Sequence, residues 1–138
     1  MLFCYGTLQF DAVLKALLGR IPEQVPAAAP GYRAAALIDR VYPGLVVSAA
    51  GGSASGVALT DLSNEEWRIR DAFEDEKYDL CEVALSTGAT AWAYIWPGGD
   101  VCSEDWDPAA FEARHLSAYA ERRTRLAPGL AAGKPKGK

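Results

Sequence analysis

Two stretches of this sequence combine residue types that could do chemistry. The first, Tyr5-Gly6-Thr7-Leu8, follows a short apolar run and has the pattern of a strand that ends at a glycine turn before a helix. Backbone N–H groups at the start of a helix attract anions, because the helix dipole places about half a positive charge there. Gly6 would also let a ligand approach the main chain closely. On the tetrapeptide alone, a purely structural interpretation is favoured, in which Tyr5 is a core residue and Thr7 caps the helix.

The second stretch, residues 70–78, carries four carboxylates between a predicted helix end and a predicted strand start. Most of them suit a solvated, charged turn or ion pairs with neighbouring arginines. Glu74 differs, because it directly follows the apolar Phe73 at the last turn of the helix, where the helix dipole disfavours a carboxylate. If Glu74 were turned into a pocket, desolvation would raise its pKa and suit it to general acid–base catalysis.

Three helices are predicted around these stretches. Apolar residues at positions 10, 13, 14, 17 and 18 predict a short helix that ends at Gly19. Ser63 and Glu66 form a capping box, which predicts a helix from Ser63 to about residue 73 or 74. Asp107 followed by a proline predicts the start of a last helix that runs to about residue 126.

The remaining sequence predicts five or six short, mostly antiparallel strands, so the fold class is α+β. Because strands this short leave exposed edges, a closed or nearly closed small barrel is expected. Residues 21–30, with three prolines, are expected to be a loop or an irregular edge. The predicted strands are residues 2–5, 32–38, 41–47, 56–62, 78–85 and 90–96.

The composition predicts one soluble domain over residues 1–127 and a disordered, lysine-rich tail over residues 128–138. The net charge of −4 argues against a nucleic-acid partner, and no apolar stretch is long enough to span a membrane. The three widely spaced cysteines and the single histidine give no metal-ligand cluster and suggest a reducing, cytoplasmic setting. No cofactor is expected, so any catalysis must use carboxylates, hydroxyls or backbone groups.

Taken together, the motifs resemble the γ-glutamylcyclotransferase-like superfamily, and most closely its branch of avirulence-induced plant proteins and their bacterial relatives. The resemblance covers nearly the whole chain in order, and the start motif combined with the Phe-Glu-x-x-x-Tyr pattern at this separation is its most specific part. The segments that carry it are 3–8, 30–32, 40–44, 55–59, 71–75, Tyr78, 93–96, Trp106, Phe111, 115–116 and Tyr119.

The resemblance implies a small mixed, mostly antiparallel β-barrel with flanking helices and a pocket at one barrel mouth. It also implies a reaction that converts a γ-glutamyl compound to 5-oxoproline and releases an amine or an amino acid. Glu74 matches the glutamate that acts as general acid and base in the family. The implied substrate-binding residues are Tyr5, Gly6, Thr7, Leu8, Tyr42, Tyr78 and Tyr94, although Tyr42 and Tyr94 are equally compatible with barrel packing.

The chain departs from the family pattern at three positions. Arg70 stands where relatives often have leucine, Asp75 where many have glycine, and Leu80 where many have arginine. The missing arginine keeps a second hypothesis open, namely a non-catalytic module on the same barrel that binds a small carboxylate-bearing ligand.

Overall fold

The computed structural model describes residues 1–49, 51–73 and 78–121, and the side chains of residues 70–73 lie outside this description. A 3₁₀ turn at Thr7–Gln9 precedes the first helix, and helical backbone resumes after the last one at residues 116–121. The elements in chain order are β1 (Leu2–Cys4), α1 (Asp11–Leu18), β2 (Gln24–Pro30), β3 (Tyr32–Leu37), β4 (Gly44–Val47), β5 (Ser53–Leu59), α2 (Asn64–Phe73), β6 (Asp79–Ala84), β7 (Thr90–Ile95), β8 (Val101–Asp105) and α3 (Pro108–Arg114).

The eight strands form one mixed sheet in the order β2-β5-β1-β7-β4-β3-β8, with β6 also paired to β7. The sheet curls strongly, because β2 and β3 lie far apart in this order yet are joined by Gly31 alone. The Gly31 N–H donates to the carbonyl of Gly52, its carbonyl accepts from Ser48, and its φ of 83° suits glycine. The α+β architecture is therefore confirmed, with a sheet that is barrel-like and linked across one corner.

The strand β7 organises the part of the sheet that matters for the site. Its whole length pairs in antiparallel fashion with β6, which occupies one edge. On the other edge, β1 pairs in parallel at Trp92 and β4 pairs in parallel at Ile95. The end of β1 and the start of β4 therefore lie next to each other along the same edge of β7, and the chain leaves β7 between them. We call this point the fork.

Alternation along β1 separates two cores. Leu2 and Cys4 face the helices and pack with α1 and α2 residues such as Leu14 and Ile69, in what we call the helix-side core. Phe3 and the following Tyr5 face the inside of the curled sheet. Five of the ten buried residues on that inner side, which we call the barrel core, are alanines, because the curled sheet leaves little room there.

Most predicted elements are confirmed. The α1 helix ends at Gly19, whose φ is 78°, and the capping box is formed in both directions between Ser63 and Glu66. Asp107 caps α3 by accepting hydrogen bonds from the two following free N–H groups. Cys4 is buried, as its apolar setting suggests. The expected tail, residues 128–138, and the end of the last helix lie outside the described residues.

Three structural expectations need correction. Residues 24–30 form a regular strand, because β2 pairs only with β5 among the described strands and an edge position tolerates prolines. The strand β8 was not expected at all. Thr7 does not cap α1, since the 3₁₀ turn intervenes and the helix starts after Phe10 without a side-chain cap.

Candidate functional site

The candidate site lies at the fork, where the turn of residues 5–8 leaves β1 and residues 42–44 enter β4. Gly6 and Pro43 bring the two segments into contact, because a Cβ on Gly6 would lie only 2.9 Å from ring carbons of Pro43. On the β4 side, the Trp96 N–H donates to the carbonyl of Leu45 at 3.0 Å. The two segments are therefore fixed to each other and to β7.

The turn after β1 presents main-chain donors at the fork. The carbonyl of Gly6 accepts from the N–H of Gln9 at 3.1 Å, which closes the 3₁₀ turn. Among the residues that the structure describes, no acceptor is found for the N–H groups of Gly6, Thr7 and Leu8. Groups at the start of a helical turn lack partners within that turn, and here they can donate to a bound anion or oxyanion.

Tyr5 holds the fork together from the inside. Its ring lies in the barrel core, 7% exposed, and its hydroxyl donates to the main-chain carbonyl of Tyr94 at 2.5 Å. The ring of Tyr94 points to the opposite face and packs in the helix-side core. Tyr5 thus acts from one face of the sheet, and Tyr94 contributes its carbonyl to the fork and its ring to the other face.

Tyr78 is the centre of an aromatic cluster on the helix side of the fork. Its hydroxyl donates to the carbonyl of Pro43 at 2.5 Å, which ties the start of β6 to the segment that enters β4. Its ring centroid lies 6.2 Å from that of Tyr42, 6.2 Å from that of Tyr94 and 5.2 Å from that of Trp96. The three predicted tyrosines are therefore brought together, with Trp96 as an additional member.

Thr7 and Leu8 have different roles in the turn. The Thr7 hydroxyl donates to the hydroxyl of Tyr119 at 3.3 Å, which links the turn to the helical residues that follow α3. The side chain of Leu8 is buried in the helix-side core and anchors the turn. Only the main chain of Leu8 is therefore placed to contact a ligand.

Arg40 supplies a positive charge beside the aromatic cluster. Its guanidinium carbon lies 4.8 Å from the ring centroid of Trp96, and its Nη1 donates to Asp100 and to the carbonyl of Ile38. Burial acts to lower the pKa of Arg40, but hydrogen bonds to Asp100 and Tyr42 outweigh it, so the pKa is raised and the group stays charged.

Residues 38–43, the β3–β4 connection, are tied down along their length. Besides the bond from Tyr78 to Pro43, the Trp106 indole N–H donates to the carbonyl of Val41 at 2.8 Å. The N–H of Ile38 donates to the carbonyl of Asp100 at 2.8 Å. The connection therefore has a fixed position beside the fork.

All seven predicted substrate-binding residues lie at the fork or in the aromatic cluster beside it, Leu8 through its main chain and Tyr94 through its carbonyl and its ring contact with Tyr78. Glu74, the predicted catalytic residue, lies outside the described residues. Two residues were missed by sequence reasoning. Trp96 could have been found, since it lies two residues after Tyr94 and so shares its strand face; Arg40 carries no comparable signal.

A separate concavity of about 200 Å³ lies on the inner side of Tyr5. Gln9, Arg33, Asp105 and Trp106 are among the residues that line it, and Tyr5 is the only predicted site residue there. Arg33 donates hydrogen bonds to Asp105 and to three carbonyls of β8, so its guanidinium holds that strand in place.

Two further searches concern only the described part of the chain. None of its helices has the length and apolar character that crossing a membrane requires. None of its groupings of histidine, cysteine and acidic side chains reaches the three residues that could hold a metal ion.

Comparison with known proteins gives a consistent result. Residues 2–109 match the model of the family described as gamma-glutamyl cyclotransferase, AIG2-like. AIG2-like protein D of Arabidopsis thaliana is 35% identical over 136 residues, which cover 93% of this chain and 89% of that protein. AIG2-like protein C of the same plant is 33% identical over 104 residues, which cover 72% of this chain but only 60% of that protein.

Solved structures agree in fold. The solution structures of two Arabidopsis thaliana proteins each superpose with a TM-score of 0.66, at 24% and 26% identity. The matches cover 96% and 97% of this chain, and 85% and 93% of the respective plant chains. The crystal structure of an uncharacterized Pyrococcus horikoshii protein matches with a TM-score of 0.58 at 23% identity, over 83% of this chain and 95% of that one.

Proposed function

Because the chain belongs to the gamma-glutamyl cyclotransferase, AIG2-like family, we propose that it cyclises a γ-glutamyl compound at the fork, with Glu74 as the general acid and base. The products are 5-oxoproline and an amine or amino acid. The observation that carries the proposal is the row of N–H donors at Gly6, Thr7 and Leu8, for which the described residues supply no acceptor, beside the aromatic cluster around Tyr78.

In the proposed reaction the nucleophile belongs to the substrate. The free α-amino group of the γ-glutamyl residue attacks its own γ-carbonyl carbon, a new C–N bond closes the five-membered ring, and the bond to the leaving nitrogen breaks. Holding the substrate in a bent conformer makes this attack intramolecular, with a large proximity advantage. No protein nucleophile, metal or cofactor is required.

Proton transfer needs one group that can act twice. The α-amine must lose a proton before or during attack, and the departing nitrogen must gain one. A single carboxylate can take the first proton and deliver it to the leaving group. Glu74 is assigned this role because it matches the family glutamate and because Tyr78, four residues later, is the centre of the aromatic cluster.

The described geometry supports the remaining proposed roles. The N–H groups of the turn can stabilise the oxyanion that develops on the γ-carbonyl, or hold the substrate α-carboxylate. The rings of Tyr42, Tyr78 and Trp96 form an apolar wall that would exclude water and limit hydrolysis of the substrate. The Tyr78 and Tyr5 hydroxyls are engaged with main-chain carbonyls, so they position the fork.

The test is release of 5-oxoproline from a panel of γ-L-glutamyl amino acids and γ-L-glutamyl amines, measured by chromatography. The Glu74→Gln variant should lose activity by at least about 100-fold, as expected for loss of a general acid–base group, with an unchanged melting temperature. Glu76→Gln, which neutralises a carboxylate in the same stretch, is the matched control and should retain activity.

The binding-module hypothesis predicts a different pattern. The position where relatives often have arginine is Leu80, which lies opposite Tyr94 in register and is 39% exposed. A module without catalysis would be stabilised thermally by a γ-glutamyl compound, equally in the wild type and in Glu74→Gln, with no product in either. That result would replace the enzymatic proposal.

A further inference from the structure

The described cations differ in how far their charge is available near the fork. Arg33 is surrounded by Asp105 and three carbonyls, and Arg20 is bound by both Glu66 and Asp61. Arg40 instead lies over the ring of Trp96, which also packs against Tyr78. It is therefore the described cation that contacts the aromatic cluster.

Among the described carboxylates, Asp100 is the one that pairs with the Arg40 guanidinium, which also bonds to the carbonyl of Ile38 and to Tyr42. Its contacts with Ile38 and Asp100 both use Nη1, at 3.2 and 3.3 Å. The Asp100 side chain is 49% exposed, so this ion pair faces solvent and is worth little by itself. A second carboxylate could share the guanidinium or displace Asp100 at small cost, because an arginine presents five N–H donors in a fixed fork.

The position of Arg40 relates it to the leaving group. Pro43, three residues after Arg40 in the chain, contacts Gly6 of the turn, and Tyr42, which precedes Pro43, lies beside Tyr78. A γ-glutamyl group held at the turn would extend its leaving group past the aromatic wall. Arg40, which lies over the Trp96 ring of that wall, would then meet a carboxylate on the leaving group.

Resting on the proposed function, we propose that Arg40 is a specificity residue that binds the carboxylate of the leaving group, so that the preferred substrates are γ-glutamyl amino acids. Asp100 competes with that carboxylate for the same guanidinium. γ-Glutamyl amines lack the recognised group and are the poorer substrates.

The experiment compares two compounds that differ by one carboxylate, γ-L-glutamyl-L-alanine and γ-L-glutamyl-ethylamide. Wild-type protein should have the lower KM for the alanine compound. Arg40→Gln should raise that KM by about tenfold or more, which corresponds to loss of a charged hydrogen bond, and change the KM for the ethylamide by less than about twofold. Arg40→Lys should restore part of the lower KM for the alanine compound.

Asp100→Asn gives a change in the opposite direction, which a folding defect cannot imitate. It removes the competing charge, and asparagine tolerates the left-handed backbone at this position, where φ is 67°. The KM for γ-glutamyl-alanine should fall by about twofold or more, with the ethylamide unaffected. Arg114→Gln, a loss of one exposed positive charge on α3, is the matched control and should leave both compounds unchanged.

The experiment distinguishes a failure of the role of Arg40 from a failure of the proposed function. Equal effects of Arg40→Gln on the two compounds, with turnover intact, would overturn the role of Arg40 and leave the cyclisation standing. If neither compound is turned over, the same variants are compared by calorimetric binding. A carboxylate preference that Arg40→Gln abolishes then supports the inference, and equal binding of both compounds overturns it.

Discussion

Replacement of Gly6 by alanine should damage both the stability and the chemistry of the fork. The added Cβ would lie 2.9 Å from the Cδ and Cγ of Pro43, whereas ordinary carbon contacts lie at about 3.5–4.0 Å. The ring must therefore move by about 0.6 Å or more. Pro43 is fully buried, and its carbonyl accepts from Tyr78, so the movement strains the aromatic cluster as well.

The magnitude follows from the nature of this contact. Overpacking of a buried site costs about 1–3 kcal/mol, which for a chain of this length lowers the melting temperature by about 3–10 °C. A shift of the turn relative to the β3–β4 connection should also reduce kcat/KM for 5-oxoproline release by at least tenfold, because catalysis depends on sub-ångström placement.

The assay pairs thermal unfolding, followed by circular dichroism, with product release. Gly98→Ala is the matched control, since a Cβ there would meet nothing within 4 Å. If Gly6→Ala melts at the same temperature as Gly98→Ala and keeps full activity, then Gly6 is not in close contact with Pro43 and the described fork geometry is incorrect.

Two further predictions concern the frame of the fold. In Gly56→Ala, the Cβ would lie 2.1 Å from the carbonyl oxygen of Cys4, so separation of β1 from β5 should cost about 4 kcal/mol or more and leave little folded protein in a urea titration. Glu66 has its pKa lowered chiefly by its hydrogen bond to Arg20, so its ionisation stabilises the fold above the unfolded-state pKa and this contribution is lost as the pH falls through the folded-state value. Glu66→Gln keeps an acceptor for the capping box with Ser63 but removes that charge, so urea titrations should show it less stable than wild type at pH 7, and the difference should shrink as the pH falls through the folded-state pKa of Glu66. A difference that stays constant as the pH is lowered would contradict the assignment.

Local signals in the sequence predicted the local structure well. The capping box at Ser63, the C-terminal glycine of α1 and the cap at Asp107 each depend on groups within a few residues, and all three form as expected. The strand β2 was missed because prolines argue against a strand unless its edge position is known. The strand β8 was missed because Val101–Asp105 has little apolar alternation, and its burial depends on β3 rather than on its own side chains.

The site itself depends on strand pairings that periodicity cannot reveal. Alternation along β1 assigns Tyr5 to one face, but it does not say that β4 follows β1 along the same edge of β7. The tyrosines that the family resemblance named together do lie near one another, but the resemblance could not predict that Tyr5 and Tyr94 would lie on opposite faces joined by a hydroxyl and a carbonyl. Arg40 was missed since its importance comes entirely from its contact with Trp96 across the fork.

The topology explains why a site should form at this point. Two parallel strands that share one edge of β7 must leave that edge where they meet, because the end of β1 and the start of β4 cannot both continue in the sheet. The N–H groups of the residues just after β1 therefore lose the strand partners that a continuous sheet would give them. A ligand that carries an oxyanion or carboxylate can satisfy them, since none of the residues that the structure describes does so. The fork thus provides donors through its topology, and under the proposed function the side chains around Tyr78 and Arg40 determine which compound is bound.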